Sequence, residues 1–303
     1  MVCPICNKED QSASFFCSNC GYEFSAVTDN EVSVGGSVYI PKRDMARIIG
    51  DTLKIYRNEG RQFLFLALIA MAPNILLDLI SPALLTDFYS ESTGFNFLNW
   101  WSSNIILASL SLILLILGIF SSAWATGAVV CAVFDHHLGR PVQASQCISR
   151  AWKKIGVLCL TSILFTLIMI GSFLLMLIII GIPIFFYCVV VFFFYSPAIM
   201  LEDEDVIGSL GRSRELVSGS WWRVFGIGIV IAVVLASIYL VANYLGGIIS
   251  PILPHSDIVV NLVVNITLLP VGIIAMVLVY TDLRVRKEGY THTQMVYELD
   301  RLK

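Results

Sequence analysis

The sequence contains little charge. Asp, Glu, Lys and Arg make up 14% of its 303 residues, whereas 57% are hydrophobic. An ordinary soluble domain has about 25% charged and roughly 45–50% apolar residues, so this composition excludes that class and favours a membrane protein. Lys and Arg are absent from three connecting stretches, residues 83–103, 181–183 and 246–256. Because cytoplasmic loops retain Lys and Arg, we expect these three stretches on the outer side of a membrane.

Long apolar runs flank those stretches. There are six, at approximately residues 62–82, 104–134, 155–180, 184–201, 223–245 and 257–281. Each has about 18 residues or more, which at about 1.5 Å per residue crosses a hydrocarbon layer of roughly 30 Å. All 19 Lys and Arg residues lie before the first run, after the sixth, or in the even-numbered connections, counting Arg223 at the very start of the fifth run with the fourth connection. The pattern predicts an all-α polytopic protein with six transmembrane helices, arranged as three helical hairpins.

The same charge pattern predicts the orientation of the chain. Both termini are expected in the cytoplasm, because both are on the side that carries the Lys and Arg residues. The first 40 residues contain no apolar segment of the kind found in a signal peptide, so we expect no cleaved leader. These features favour a multi-pass protein in the cell membrane of a prokaryote, with the lipid bilayer as its first partner.

Two Cys-x-x-Cys pairs open the chain, ten residues apart. Their members are Cys3, Cys6, Cys17 and Cys20. Four thiolates at this spacing close a tetrahedron around one zinc ion, with a rubredoxin-like iron site as the alternative. Asn7 and Gly21 follow the two pairs, and both tolerate the positive φ that such turns require. The pattern predicts a zinc ribbon over residues 1–25, followed by a flexible linker over residues 26–42.

The predicted ribbon lacks a basic surface. Lys8 is its one basic residue, against the acids Glu9, Asp10 and Glu23, and two more acids, Asp29 and Glu31, follow in the linker. Since phosphate binding requires clustered Lys or Arg, we expect no nucleic-acid partner. The ribbon is instead predicted to be a structural knuckle or a docking module for a cytoplasmic protein. The remaining cysteines are expected to pack as small apolar residues: Cys131, Cys147, Cys159 and Cys188.

The membrane domain, predicted over residues 43–291, repeats one unit three times. Each unit consists of an amphipathic helix suited to the membrane interface, a span, an outer turn and a return span. The second and third units share the pattern V-x-x-S-x-x-x-S-R, ending at Arg150 and Arg214. Aromatic residues mark the span starts: Tyr56, Trp152, Trp221 and Trp222. Each return span ends in an acid: Asp135, Glu202 or Asp282. We expect these acids to be solvated charges at the membrane interface. The alternatives are that they form ion pairs with basic groups or cap the next helix.

Polar residues inside the spans are few. Asp78, with Asn74 one turn earlier, is the one ionisable candidate for an intramembrane site. Asn243, Asn261 and Asn265 are expected to form hydrogen bonds between the fifth and sixth spans. Prolines are expected to kink the first, fourth and sixth spans: Pro73, Pro197 and Pro270.

Two segments carry a resemblance to a known family. Residues 280–290 contain Asp-Leu-Arg-x-Arg-x-Glu-Gly, and residues 209–223 contain a Ser-Arg pair followed by Trp221-Trp222. Together they resemble the membrane domain that precedes the catalytic barrel of some bacterial glycerophosphoryl diester phosphodiesterases, over approximately residues 43–291. The resemblance implies the topology but not the activity, because the sequence has no region that would form the barrel. Residues 292–303 are predicted to form a cytoplasmic tail.

Catalytic patterns are also absent from the sequence. It has no HExxH or GxSxG motif, no paired intramembrane aspartates, and four scattered histidines. We therefore expect no enzyme. The first hypothesis is a membrane scaffold or regulator that docks a cytoplasmic partner through its zinc ribbon. The alternative is a transporter, or a lipid-translocating or lipid-binding membrane protein.

Overall fold

A computed structural model describes residues 42–90, 105–176, 181–249, 251–252 and 256–300. The predicted zinc ligands Cys3, Cys6, Cys17 and Cys20 lie outside these residues, as does the predicted linker up to residue 41. The described part of the chain is helical and contains no strand. Its helices are α1 (Met45–Ser90), α2 (Ile105–His137), α3 (Ala144–Lys153), α4 (Ile155–Met176), α5 (Gly181–Phe192), α6 (Tyr195–Glu202), α7 (Val206–Val217), α8 (Trp221–Ile249), α9 (Ser256–Glu288) and α10 (His292–Asp300).

The expected six spans are present. Six segments are long and apolar enough to cross a membrane: Met45–Asp78, Ile105–His137, Ile155–Met176, Gly181–Glu202, Trp221–Ile249 and Val259–Glu288. They pack as three hairpins, in which α1 pairs with α2, α4 with α5 and α6, and α8 with α9. Helix α9 also packs against α1, which brings the last hairpin beside the first. The protein is therefore an all-α multi-pass membrane protein, as the hydropathy pattern predicts.

An amphipathic helix precedes each hairpin, at one end of the bundle. The first is the start of α1, which is separated from the span by non-helical dihedral angles at Glu59. The other two are α3 and α7. Each return span ends just before a residue with positive φ: Gly139 at +65°, Asp203 at +62° and Gly289 at +65°. This left-handed conformation stops a helix, and glycine adopts it without steric cost.

Proline acts differently in the three spans where kinks are expected. The fourth span is interrupted at Phe193 and Phe194, between α5 and α6, four residues before Pro197. This is the position that a proline ring disrupts, because it clashes with the carbonyl of residue i−4. In contrast, α1 continues through Pro73 and α9 continues through Pro270. The interruption of α1 lies at Glu59 instead.

The tightly packed core lies toward one end of the bundle. Residues 127–135 of α2 and 274–285 of α9 are buried almost without exception, whereas residues 105–122 of α2 are mostly exposed. The buried end is where α1 begins and where α2, α6 and α9 end, and it carries the described Lys and Arg residues. We call it the basic end. The exposed apolar surfaces elsewhere are those that a lipid environment would cover.

Candidate functional site

Three acids at the ends of the return spans organise the basic end. They are Asp135 of α2, Glu202 of α6 and Asp282 of α9. Asp135 is 3% exposed and Asp282 is 1% exposed, and the side chain of Glu202 is 13% exposed. Each accepts hydrogen bonds from at least one arginine. The expectation that these acids are solvated interfacial charges is therefore wrong, and the ion-pair alternative is confirmed.

Asp282 joins α9 to the segment that precedes α1. Its Oδ1 accepts a hydrogen bond from the backbone amide of Arg43 at 2.7 Å. Its Oδ2 accepts from Arg223 Nη2 at 2.8 Å and from Arg286 Nε at 2.9 Å. Both arginines also donate to the carbonyl oxygen of Arg43, at 2.8 and 3.0 Å. The backbone of Arg43 is thus held on both sides, an arrangement that we call the Arg43 clamp.

The side chain of Arg43 adds a second layer of contacts. Its guanidinium donates to Asp51 Oδ2 at 3.2 Å, to Thr281 Oγ1 at 3.0 Å and to His137 Nε2 at 3.0 Å. Since arginine only donates, His137 Nε2 accepts here, and its Nδ1 carries the hydrogen donated to the Val133 carbonyl. Burial lowers the pKa of Arg43, and the neighbouring carboxylate of Asp51 opposes that effect.

Glu202 links α6 to both α7 and α9. Its Oε2 accepts from Arg212 Nε at 2.6 Å, and Arg212 Nη2 lies 2.5 Å from Glu288. The hydroxyl of Tyr280 donates to Glu202 Oε1. Burial alone would lower the pKa of Arg212, but its hydrogen bonds with Glu202 and Glu288 and their charges raise it. The charged form of Arg212 is therefore strongly favoured in the folded protein.

Helix α10 is attached to the same network. Arg284 donates from Nη1 and Nη2 to the two carboxylate oxygens of Glu298, each at 2.9 Å, which is a bidentate pair. The guanidinium of Arg284 also lies 3.7 Å from the centroid of the Tyr290 ring, and the Tyr290 hydroxyl donates to Glu298 at 2.6 Å. Burial and the nearby Glu298 charge raise the pKa of Tyr290. Much of the segment expected as a tail is thus a helix held on the bundle.

Asp135 forms the third cluster, together with two cysteines. Arg150 Nη1 donates to both oxygens of Asp135, at 3.0 and 3.1 Å, and to Cys131 Sγ at 3.3 Å. Cys147 Sγ lies 3.7 Å from Asp135 Oδ2. Hydrogen bonding with Cys131, together with burial, raises the pKa of the Cys147 thiol. Cys131 and Cys147 are buried as expected, but they belong to a polar cluster and do not pack only as apolar residues.

The Asp135 cluster has the composition of a possible metal site. The ligand atoms of Cys131, Asp135 and Cys147 all lie within 4.8 Å of one another, the one such group among the described residues. The guanidinium of Arg150 contacts two of the three and already neutralises the carboxylate. The polar groups of this cluster therefore already have partners within the protein, and we assign no metal to it.

Asp135 and Glu202 each pair with an arginine of the repeat unit that follows them. Asp135 pairs with Arg150 of α3, the amphipathic helix that follows it, and Glu202 pairs with Arg212 of α7 in the same way. Asp282 is followed by α10, which contains no Lys or Arg, so Asp282 takes its partners from elsewhere. It contacts Arg43, immediately before the first amphipathic helix, and so closes the series on the first unit.

The sequence repeat does not extend to these side-chain contacts. Ser213 and Ser149 are equivalent in the repeat, yet Ser213 is buried and Ser149 is exposed. Ser213 Oγ donates to the Val191 carbonyl at 2.6 Å and accepts from the Phe194 amide at 3.1 Å. It therefore satisfies the backbone groups that the break in the fourth span leaves without helical partners.

The polar residues inside the spans do not form the contacts expected of them. Asn243 donates to the carbonyl of Tyr239 at 2.9 Å, and Asn265 donates to the carbonyl of Asn261 at 2.9 Å. Both bonds lie within a single helix, so the expectation that these asparagines form hydrogen bonds between the fifth and sixth spans is wrong. A bond between α8 and α9 comes instead from Ser256 Oγ, which donates to the Gly246 carbonyl at 3.2 Å. Asn74 instead faces Gly118 of α2, where an added Cβ would lie 2.6 Å from its Oδ1.

A family model matches residues 103–285, from just before α2 to near the end of α9. Its description is "Domain of unknown function (DUF7847)". The match covers more than half of the chain. The chain belongs to this family. No curated protein and no solved structure matches it.

The DUF7847 match contains all three acids and most of their arginine partners. Arg150, Arg212 and Arg223 lie inside it, whereas Arg43 and Glu298 lie outside. The description names no chemistry, so the resemblance to the membrane domain of glycerophosphoryl diester phosphodiesterases stays an expectation. Sequence reasoning named the acids but missed Arg43, Glu298 and His137 as partners. The position of Arg43, immediately before the first amphipathic helix, was the one available signal for it.

Proposed function

We propose that this protein is a non-enzymatic membrane scaffold that presents an N-terminal zinc ribbon to a cytoplasmic protein partner. The observation that supports this most directly is the Arg43 clamp. Arg43 follows the predicted linker over residues 26–42, and its backbone is held by Asp282, Arg223 and Arg286. The linker would therefore leave the bundle from a defined point at the basic end.

A fixed attachment point matters for a module on a flexible linker. The linker length limits the reach of such a module, so a partner bound to it is concentrated near the attachment point. The basic end is also where charge patterning predicts the cytoplasm. The proposed ribbon and its partner would then share one compartment, beside a surface that buried ion pairs hold in place.

Zinc binding is the first part of this proposal to test. The full-length protein and a variant with Cys3, Cys6, Cys17 and Cys20 all changed to Ser would be purified in mild detergent. Elemental analysis is expected to find one zinc per chain in the parent and none in the variant. Cys188→Ser, which changes a cysteine of the bundle, is the matched control and should retain the zinc.

Partner docking is the second part. The same three proteins would be cross-linked in their native membranes, purified and analysed by mass spectrometry. A protein subunit that is bound by the parent and by Cys188→Ser, but lost from the ribbon variant, supports the scaffold. Thermal unfolding of the bundle should be the same in all three. If the zinc is lost and every cross-linked subunit is retained, docking through the ribbon is excluded.

A further inference from the structure

A cavity of about 350 Å³ opens at the basic end, where the start of α1 meets the start of α8. It is lined by Asp44, Met45, Trp222, Arg223, Gly226 and Ile227. One anionic and one cationic residue thus line a small cavity whose other lining residues are apolar. None of these lining residues belongs to the predicted ribbon, so the inference does not depend on the scaffold proposal.

Both charged groups keep unused hydrogen-bonding capacity. Arg223 bonds to Asp282 and to the Arg43 carbonyl through Nη2 alone. Within the part of the chain that the structure describes, its Nε and Nη1 have no protein partner. The carboxylate of Asp44, which is exposed, has none there either. These two residues therefore have three N–H donors of a guanidinium and both oxygens of a carboxylate left for a ligand.

The surroundings of the cavity are those of a membrane interface. Trp222 is 78% exposed and stands at the start of the fifth span, where tryptophan side chains occupy the headgroup level of a bilayer. An exposed apolar stripe continues from the cavity along α8 at helical spacing: Ile229, Val233, Leu240 and Tyr244. A molecule in the cavity would thus have a polar end at the charged residues and room for an apolar chain along α8.

We propose that this cavity binds the headgroup of a zwitterionic aminophospholipid. Arg223 donates to the phosphate, and Asp44 accepts from the primary ammonium group, so both ligand charges are matched. Asp44 disfavours an anionic headgroup, because it would face a second negative charge. A choline headgroup fits less well, because its quaternary nitrogen has no N–H to donate. Trp222 and Ile227 would cover the glycerol region and the start of the acyl chains.

Gly226 allows the cavity to be filled without disturbing the protein. A Cβ added at Gly226 meets no atom within 4 Å, and the same is true at Gly228, two residues further along α8. Gly228 does not line the cavity. Gly226→Leu should therefore obstruct the lipid, and Gly228→Leu is its matched control. Arg223 is left unchanged in this design, because it belongs to the Arg43 clamp.

The test is native mass spectrometry of the full-length protein in detergent. Phosphatidylethanolamine, phosphatidylcholine and phosphatidylglycerol with identical acyl chains are added at equal concentration. We expect the parent to retain phosphatidylethanolamine about tenfold over the other two, the ratio that one charge-assisted hydrogen bond supplies. Asp44→Asn should bring the ratio to phosphatidylcholine close to one. Gly226→Leu should lose the retained lipid, whereas Gly228→Leu should behave as the parent.

Two results would overturn the proposal. One is equal retention of the three lipids by the parent. The other is unchanged phosphatidylethanolamine retention in Gly226→Leu that unfolds at the same temperature as the parent. Neither result bears on zinc content or on partner docking, so this site and the scaffold role can fail separately.

Discussion

The backbone amide of Arg43 donates to Asp282 Oδ1 at 2.7 Å, although 239 positions separate the two residues. This bond connects the start of the first repeat unit to the end of the third. The local sequence around either residue does not predict this bond, because the two residues approach each other only in the folded bundle. Asp282 therefore holds the start of the first repeat unit against the end of the third at the basic end.

Asp282→Asn should destabilise the bundle by about 3 kcal/mol. Removing one member of a buried ion pair typically costs about 3–5 kcal/mol, and the lower end applies because Arg223 and Arg286 are partly exposed. The change would be measured by chemical or thermal unfolding in mild detergent. Asp51→Asn is the control, because Asp51 also pairs with Arg43 but its side chain is 37% exposed. Equal effects of the two changes would argue against a special role for Asp282.

Asp135 and Arg150 should be strongly coupled energetically. We expect Asp135→Asn and Arg150→Gln each to lower stability, and the double variant to lose less than their sum, with a coupling of about 1–3 kcal/mol. The surface pair Arg140–Asp300, whose side chains are 29% and 43% exposed, provides a control cycle with an expected coupling below about 1 kcal/mol. Additive effects in the Asp135 cycle would mean that the two side chains do not depend on each other.

Ser213→Ala should destabilise the protein more than Ser149→Ala, although the two serines occupy the same repeat position. Without its hydroxyl, the Phe194 amide and the Val191 carbonyl lose a buried partner, which costs roughly 1–3 kcal/mol. Ser149 is exposed, so its replacement should leave the unfolding temperature unchanged. Comparing unfolding temperatures of both variants with the parent decides the point, and a neutral Ser213→Ala would show that water replaces the serine.

The predicted orientation can be tested with reporter fusions. A reporter that is active only in the cytoplasm should be active when fused after residue 303 and inactive when inserted at residue 252. A reporter that is active only outside should show the reverse. The physical reason is the concentration of Lys and Arg at the basic end, which resists translocation. Activity of the external reporter at residue 303 would show that the chain is inverted.

The six spans could be predicted from the sequence because hydropathy is a local property. A run such as residues 104–134 is apolar enough to leave water whatever it packs against, and the structure has a helix there, Ile105–His137. The absence of Lys and Arg from alternate connections, together with run length, likewise predicted the three hairpins. The metal ligands Cys3, Cys6, Cys17 and Cys20 stay a prediction from spacing.

The environment of the acids could not be predicted in this way. Asp135, Glu202 and Asp282 stand at equivalent places in the sequence, where solvated charge is the ordinary expectation. Their burial depends on partners that come from other helices, such as Arg223, 59 positions before Asp282. Periodicity and composition contain no information on which distant arginine approaches an acid.

The sequence by itself determined which segments enter the membrane and which end of the bundle carries the positive charge, since both follow from the free energy of transferring single residues into lipid. The tertiary structure alone decided that those charges are paired and largely buried. It also decided that Ser213 supports a broken helix while Ser149 faces outward, and that Asp44 and Arg223 face one cavity. These are properties of pairs of atoms on different helices, and they exist only once the helices have packed.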